Sequence, residues 1–236
     1  MKIAIVNSVA GISSKELGNF LSTPEWKVPV DKPHQSGKFD WRNVDVVFNY
    51  GCGYRGMLAK KFINTPDAVC RCVDKPTTFE AFKKAKVNTV EHTQDRNKIP
   101  KHWNWVVVRK ETDGRKAEGL SFHENVEGQI PIGQLYSEYY EHRFEYRVVV
   151  FMGKVVGFYY KRRKNDGNWY FNIQKPNGFE EMGDHCIRAA KELGIDYVGF
   201  DVVAKDKKNF KILEANSAPI LTTESMEAIH SYFFKE

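Results

Sequence analysis

The sequence predicts an α+β protein that opens with a short α/β unit, and three observations predict it. Two pairs of apolar, alternating segments are each joined by a short link, FEYRVVVF to KVVGFYYKRR around Met152 and Gly153, and VGFDVV to KILEAN around Lys207 and Lys208. Such pairs read as antiparallel hairpins. Segments with helical spacing stand between groups of strands, at PTTFEAFKKAKV and at Phe179 to Leu193. Grouping of that kind belongs to an α+β chain. Over the first ~70 residues strand and helix patterns alternate instead, which marks a small α/β unit.

In chain order, KIAIVNS reads as a buried strand, SSKELGNFL as a short helix and VDVVFNYG as a second buried strand. YRGMLAKKFI reads as a helix that starts after the turn at Gly51 to Gly53, and VCRCV as a short strand with Cys70 and Cys72 on one face. PTTFEAFKKAKV is helical, with Pro76 in the first turn, where a missing N–H costs nothing, and with Phe79 and Phe82 on its apolar side. NTVEH, WNWVVVRK and LSF read as strands, the last two separated by the polar loop ETDGRKAEG. Beyond the first hairpin, Phe179, Met182, Cys186, Ala190 and Leu193 line one side of a helix that stops at Gly194. The second hairpin follows, and TTESMEAIHSYFF closes the sequence as a helix.

The second hairpin carries chemistry. The midpoint between Asp201 and Glu214 falls between Lys207 and Lys208, so the two acids are predicted to lie opposite each other on paired strands. Asn216, two residues on, shares their face. A carboxylate among Val, Phe, Ile and Leu is costly to bury unless it is paired or holds a metal. Three oxygen donors suit Mg2+, with Mn2+ as a substitute, completed by water and phosphate oxygens, rather than zinc or an all-protein calcium cage. The competing reading is a strand pair whose acids face solvent. Arg147 lies inside FEYRVVVF, where a guanidinium needs an anionic partner; a bound anion and a structural pair with Glu145 are the two options. The hairpin register decides which cation joins it. A two-residue turn at Met152 and Gly153 points Arg162 inward, whereas one extra loop residue selects Lys161.

Composition narrows the function classes. At 236 residues, 42% hydrophobic and 14% aromatic, the chain has the makings of one good core or two small ones and is no disordered tail. No run approaches a membrane span and MKIAIVNSVAGIS lacks the pattern of a signal peptide, so the expected location is the cytoplasm and no membrane partner is expected. Cys52, Cys70, Cys72 and Cys186 show no CxxC spacing, which supports neither a zinc site nor a disulfide framework. The net charge of +6 permits phosphate-rich partners, but the basic residues are spread along the chain, which argues against nucleic acid. The local clusters Lys161 to Lys164 and Gly114 to Lys116 suit a triphosphate, which needs several cations in one cleft.

The Asp201, Glu214 and Asn216 set, in its LEANSAP setting with Pro219, resembles the D...E-x-N metal-binding signature of the ATP-grasp carboxylate–amine ligases. The resemblance runs from roughly Val69 to Ile229 and is nearest to the small phage-encoded members related to the glutamate ligases of ribosomal modification. It implies an ATP-grasp fold, two α+β subdomains clasping ATP between antiparallel sheets, over residues 73–236 (lid about 73–140, metal and phosphate subdomain about 141–236), after a short unit at 1–72 that resembles a pre-ATP-grasp domain.

The resemblance further implies Mg2+ on Asp201, Glu214 and Asn216, bridging the ATP phosphates, and it places Lys75 and Arg109 as phosphate-contacting cations. Lys75 has the alternative of a solvated first-turn lysine. The loop GRKAEG resembles the glycine-rich flap over the phosphates, with Ala117 where a glycine is common and with a plain hairpin loop as the alternative. Glu138, Tyr139 and Tyr140 match the linker that reads the adenine edge, Glu145 the acceptor for the ribose hydroxyls, and Asn172 an asparagine near the phosphates or else a plain polar strand residue. Arg147, with Lys161 or Arg162, matches the cations that face the transferred phosphoryl group. The implied activity is an ATP- and Mg-dependent ligation of a carboxylate to an amine or thiol through an acyl phosphate. An ATP-grasp kinase acting on an alcohol, and a basic nucleic-acid-binding protein without catalysis, are the alternatives. Asn49 to Gly53 follows a buried strand and is placed to face substrate.

Overall fold

The computed structural model describes residues 1–7, 12–32, 43–57, 59–112, 119–163, 169–173 and 177–234. Apolar runs at Ile3–Asn7 (β1) and Val46–Tyr50 (β3) pair in parallel, flanked by Val30–Asp31 (β2) and Lys61–Ile63 (β4), in the order β2-β1-β3-β4. Their near-continuous burial is what a parallel sheet covered on both faces demands. The helix Ile12–Phe20 (α1) follows β1.

Two segments differ from the sequence expectation. VCRCV is not a strand but the end of the helix Pro66–Val73 (α2), capped by the Thr65 hydroxyl on the Ala68 N–H at 3.2 Å, with Pro66 in its first turn. The T-P-D start outweighs the β-branched look of the window, and it puts Cys72 in the core and Cys70 half-buried beside Gly53, not on a shared face. YRGMLAKKFI forms no helix among its described residues; its last residues are β4, parallel to β3. Two glycines, Gly53 and Gly56, flank the start of that segment and weaken any helix there.

The next helix, Lys75–Lys84 (α3), is capped by the Asp74 carboxylate on the Thr77 N–H at 3.0 Å. His92–Thr93 (β5), Trp105–Arg109 (β6), Leu120–Glu124 (β7) and Leu135–Glu138 (β8) form an antiparallel sheet in the order β5-β8-β6-β7. Phe144–Phe151 (β9), Lys154–Arg163 (β10), Trp169–Ile173 (β11), Tyr197–Ala204 (β12) and Phe210–Asn216 (β13) make a five-stranded antiparallel sheet, β11-β10-β9-β12-β13. The helix Glu180–Leu193 (α4) ends on Gly194 in the left-handed conformation, φ 63°, as the glycine foretells. The helix Thr223–Phe234 (α5) closes the described chain.

Side-chain alternation gives the five-stranded sheet two unlike faces. One is apolar over its central strands: Val148, Val150, Phe158, Phe200 and Val202 pack with Phe79 and Phe82 of α3 and Met182, Cys186 and Leu193 of α4. The other is divided along its length. Val149, Phe151, Tyr159 and Tyr197 pack with Ile3, Ile5 and Phe48 of the parallel sheet, Leu17 of α1 and Ile229 of α5. Past Tyr159 and Gly199 the same face turns ionic, with Glu145, Arg147, Lys161, Asp201 and Glu214. No helix among the described residues is long and apolar enough to cross a membrane.

Asn64 ties the parallel sheet to the larger one. Fully buried at φ 62°, it donates to the carbonyls of Tyr197 (2.7 Å) and Asn49 (3.3 Å), and its side-chain oxygen accepts from the N–H groups of Asp196 (2.9 Å) and Tyr197 (2.8 Å). An asparagine suits both the backbone angle and the fourfold bonding. Asn64→Ala leaves buried backbone groups on β3 and β12 without partners and is expected to cost about 3 kcal/mol or more. Urea unfolding checks this, and a loss under about 1 kcal/mol would show that Asn64 is not the tie.

Candidate functional site

The ionic half of the divided face is built around Asp201. On β9 and β12 the register sets Asp201 opposite Arg147, and on β12 and β13 it sets Asp201 opposite Glu214. Arg147 donates through Nε to Asp201 Oδ1, and Lys161 Nζ donates to Asp201 Oδ2 at 2.8 Å. Burial alone would raise the Asp201 carboxyl, but the Arg147 guanidinium and the Lys161 ammonium outweigh it and hold the group well below the ordinary carboxylate range. Burial likewise works against the Arg147 charge, and the Asp201 carboxylate more than restores it.

A one-residue irregularity decides that Lys161, not Arg162, joins this group. The turn between β9 and β10 is the two-residue one at Met152 and Gly153, both at positive φ, which by itself would turn Arg162 inward. Between Val155 and Gly157, however, the pairing slips by one residue at Val156, and beyond it every β10 side chain changes face. Lys161 is therefore paired with Glu145 on the ionic face, while Arg162 lies over the Tyr160 ring at 5.0 Å. The same slip corrects Asn172: it pairs with Tyr160 and is exposed on the face opposite Lys161.

Glu214 and Asn216 extend the group along β13. Asn216 Nδ2 donates to Glu214 Oε1 at 3.0 Å, and Lys75, buried at the start of α3, reaches Glu214 Oε2 at 3.3 Å. From the smaller antiparallel sheet, Arg109 brings a fourth cation; burial pushes its guanidinium down and the Glu214 charge draws it back up. Its Nε is buried with no hydrogen-bond partner among the described residues. Lys75, Arg109, Arg147 and Lys161 thus outnumber Asp201 and Glu214, and a buried guanidinium nitrogen waits for an acceptor, the condition for seating a polyanion. The acids retain metal-binding capacity as well, because a carboxylate oxygen in one hydrogen bond keeps a second lone pair and Asn216 Oδ1 is left by its Nδ2 contact. Asp201, Glu214 and Asn216 are an all-oxygen set that fits a hard divalent cation.

Glu138, Tyr139 and Tyr140 lie where β8 runs out toward β9. The Glu138 and Tyr139 amides bond the carbonyls of Glu91 (2.9 Å) and Trp105 (3.1 Å), which leaves the Tyr140 amide as the donor without a partner among the described residues. Three aromatic side chains share Arg109's face of the smaller sheet and are partly exposed: Trp105 and Phe122, which sequence reasoning missed, and Tyr139, edge-on to Phe122 at 5.7 Å. Alternation with Arg109 along β6 is the signal that finds Trp105, while Phe122 comes to this face through its pairing with Val107. His142 was missed too. Its Nδ1 bonds the Tyr140 carbonyl at 2.8 Å and its Nε2 meets Glu145 Oε1 at 3.4 Å, so it couples the linker to Glu145, which also faces Lys161 at 3.7 Å. The E-H-R-F-E spacing carries that hint. The flap residues 114–118 and Lys164 lie outside the described residues.

A model of the RimK-like ATP-grasp domain matches residues 106–230, more than half of the chain. The chain belongs to the RimK-like ATP-grasp family. As a member it is an enzyme of the ATP-dependent ligase type. Solved structures share the fold of this ATP-grasp chain over nearly its whole length. The ATP-grasp ligase PsnB complexed with minimal precursor is 13% identical, with a TM-score of 0.71 over 97% of this chain and 98% of that one. D-alanine–D-alanine ligase from Bacillus anthracis is 13% identical, with a TM-score of 0.68 over 97% and 92%. The macrocyclase MdnC bound with precursor peptide MdnA from Microcystis aeruginosa MRC is 9% identical, with a TM-score of 0.70 over the full length of both. No curated protein sequence matches.

His142 gives this ATP-grasp site a pH signature. The Glu145 hydrogen bond raises the His142 pKa above its ordinary 6.5, against burial, while the His142 bond lowers that of Glu145. A raised folded-state pKa stabilises fully below the unfolded value and stops doing so as pH rises through the folded one. The stability gap between wild type and His142→Gln is expected to be largest between about pH 5 and pH 6.5, to shrink above that as His142 loses its proton and to shrink at acid pH as Glu145 gains one. Denaturant melts across that range, with imidazole NMR titration, check it; a gap that grows as pH rises above about 6.5 would show that the pair is not ionised.

Proposed function

We propose that the chain joins a carboxylate to an amine at the expense of ATP, with Mg2+ and through an acyl phosphate. The observation that carries this is the convergence of Arg147 and Lys161 on Asp201 beside Glu214, with an Arg109 whose buried Nε has no acceptor among the described residues. Two anions, a carboxylate and a triphosphate, must meet, so the site's task is to cancel charge and hold an in-line geometry. A thiol in place of the amine uses the same arrangement.

In this reading the adenine rests against Trp105, Phe122 and Tyr139, with the Tyr140 amide and the Glu138 carbonyl at its edge, and Glu145 accepts from the ribose. Lys75 and Arg109 hold the phosphates. Mg2+ on Asp201, Glu214 and Asn216 would supply neutralisation of the charge on the phosphate oxygens. Arg147 and Lys161, aimed in this structure at Asp201, stabilise the phosphoryl group as it passes to the substrate carboxylate. The carboxylate oxygen bonds to the γ-phosphorus as ADP leaves; the amine then attacks the acyl carbon, phosphate leaves, and the amine gives up a proton. Burial and surrounding cations shield the acyl phosphate from water.

The division into residues 1–72 and 73–236, with the lid ending near 140, belongs to this proposal, and so does a cytoplasmic location, where ATP is at hand. Solved relatives take precursor peptides or D-alanine, and a peptide or amino-acid carboxylate is the proposed substrate class here.

Mg-ATP at a hundredfold excess over its dissociation constant should stabilise the protein by about 2.7 kcal/mol, and Glu214→Gln should remove the Mg2+-dependent part. Asp201→Asn should lose turnover and about 3 kcal/mol of stability together, because it strips Arg147 and Lys161 of their carboxylate. Thermal melts with and without metal read both; no shift with any nucleotide in the presence of Mg2+ sinks the ATP assignment.

Arg147→Ala should lower kcat by roughly a hundredfold or more while ATP affinity changes far less, and lysine should restore only part. With a competent acid, hydroxylamine should trap a hydroxamate. ADP formed with a stable phosphate ester and no trappable acyl group would identify a kinase instead.

A further inference from the structure

The parallel sheet reaches the site through one side chain. Tyr50 ends β3 beside β1, the pair between which the strand order β2-β1-β3-β4 reverses direction. Crevices at such a reversal sit at the carboxyl ends of the strands, where α/β units bind ligands. Here that end of the sheet meets the segment that follows β13. The Tyr50 hydroxyl donates to the Pro219 carbonyl, three residues past Asn216. Its ring stacks on Tyr197 of β12, centroids 6.4 Å apart at 25°.

Two glycines show how closely these pieces fit. Gly51 has φ +80°, and a Cβ there would stand 2.8 Å from the Ala218 Cβ, so the end of β3 presses directly on the segment after Asn216. Gly199, paired with Asn216, leaves a slot in the sheet: a Cβ there would meet the Pro219 Cβ at 2.6 Å and the Arg147 Cδ at 2.9 Å. Pro219 fills that slot. Tyr50, Pro219, Gly199 and the Arg147 stem therefore form one packed column from the parallel sheet to the guanidinium. Burial pushes the Tyr50 phenol up, with the Ser13 hydrogen bond and the Arg147 charge opposing it, and the hydroxyl stays a donor at neutral pH.

The geometry assigns Tyr50 as a positioning residue: it holds the 217–219 segment in place, and through it Glu214, Asn216 and Arg147, so the parallel sheet belongs to the metal-binding apparatus. This rests on the proposed metal role of Glu214 and Asn216. An ordinary packing contact would alter stability and leave metal affinity relative to nucleotide affinity unchanged.

The probe is Mn2+ with ADP, followed by electron paramagnetic resonance, alongside ADP affinity without metal and a thermal melt. Tyr50→Phe keeps the ring and removes the hydroxyl with its hydrogen bonds to the Pro219 carbonyl and Ser13, and should weaken Mn2+ binding to the ADP complex about fivefold, with metal-free ADP affinity unchanged. Gly51→Ala, which displaces the same segment through Ala218, should act in the same direction, and it decides the matter if Tyr50→Phe does not fold. Equal Mn2+ affinity in a folded variant and the wild type overturns the assignment, and so does an equal loss of metal-free and metal-bound ADP affinity. A wild-type protein that binds neither Mn2+ nor ADP refutes the ATP reading itself, an outcome separate from these.

Discussion

A carboxylate in the middle of a five-stranded sheet has to be neutralised, and the architecture around Asp201 follows from that. Both Asp201 oxygens are engaged by cations from two other strands, which requires β9 beside β12, β10 beside β9, and a register that brings Arg147 and Lys161 to one face. Ion groups of this kind contribute little net stability once desolvation is counted, and an apolar trio would hold the sheet as well or better. Their retention on a face that is otherwise Val, Phe and Tyr makes sense for chemistry with anions, which needs cations already desolvated and aimed. Arg109 and Lys75 continue that field from the smaller sheet and from α3.

Much of this was legible in the sequence because strand pairing is local in the second hairpin. The polar link between β12 and β13 fixes the register, and Asp201 does lie opposite Glu214 with Asn216 on the same face, even though the pairing slips by one residue just inside them. Helix α4 was legible from its apolar spacing and from Gly194. The choice between Lys161 and Arg162 was not legible, because a bulge at Val156 leaves no mark in a strand already rich in valine and containing one glycine. VCRCV was misread because β-branched and cysteine residues suit a strand locally, while the deciding cap, Thr65 with Pro66, lies upstream of the window. The role of Tyr50 escaped for a different reason: its hydroxyl acts on a carbonyl 169 positions away, a contact that pattern and spacing do not encode.

The parallel sheet is bound into the molecule from both ends of the sequence. Asn64 couples it to β12 by side-chain hydrogen bonds, and α5, from the far end, packs with α1, Ile3 and Phe48 in the same core. The chain thus closes on itself around the β9-to-β12 strands, and the smaller sheet with Arg109 has a separate core of Trp103, Val106, Val108, Ile130 and Tyr136.

The divided face of the large sheet partitions the molecule's free energy. Apolar burial, which supplies most of the driving force for folding, is concentrated at the Val149, Phe151 and Tyr197 end and on the opposite face, whereas the Arg147 and Lys161 end contributes charge and almost no hydrophobic area. Folding and chemistry therefore draw on different ends of one face, and they meet at Asp201 and Gly199, where charge pairing and packing share the same strand. Core substitutions at the apolar end shift the population of folded molecules, and substitutions at the ionic end shift what a folded molecule can do, with Asp201, the partner of two buried cations, serving both. Such a chain has room to exchange one substrate for another without refolding.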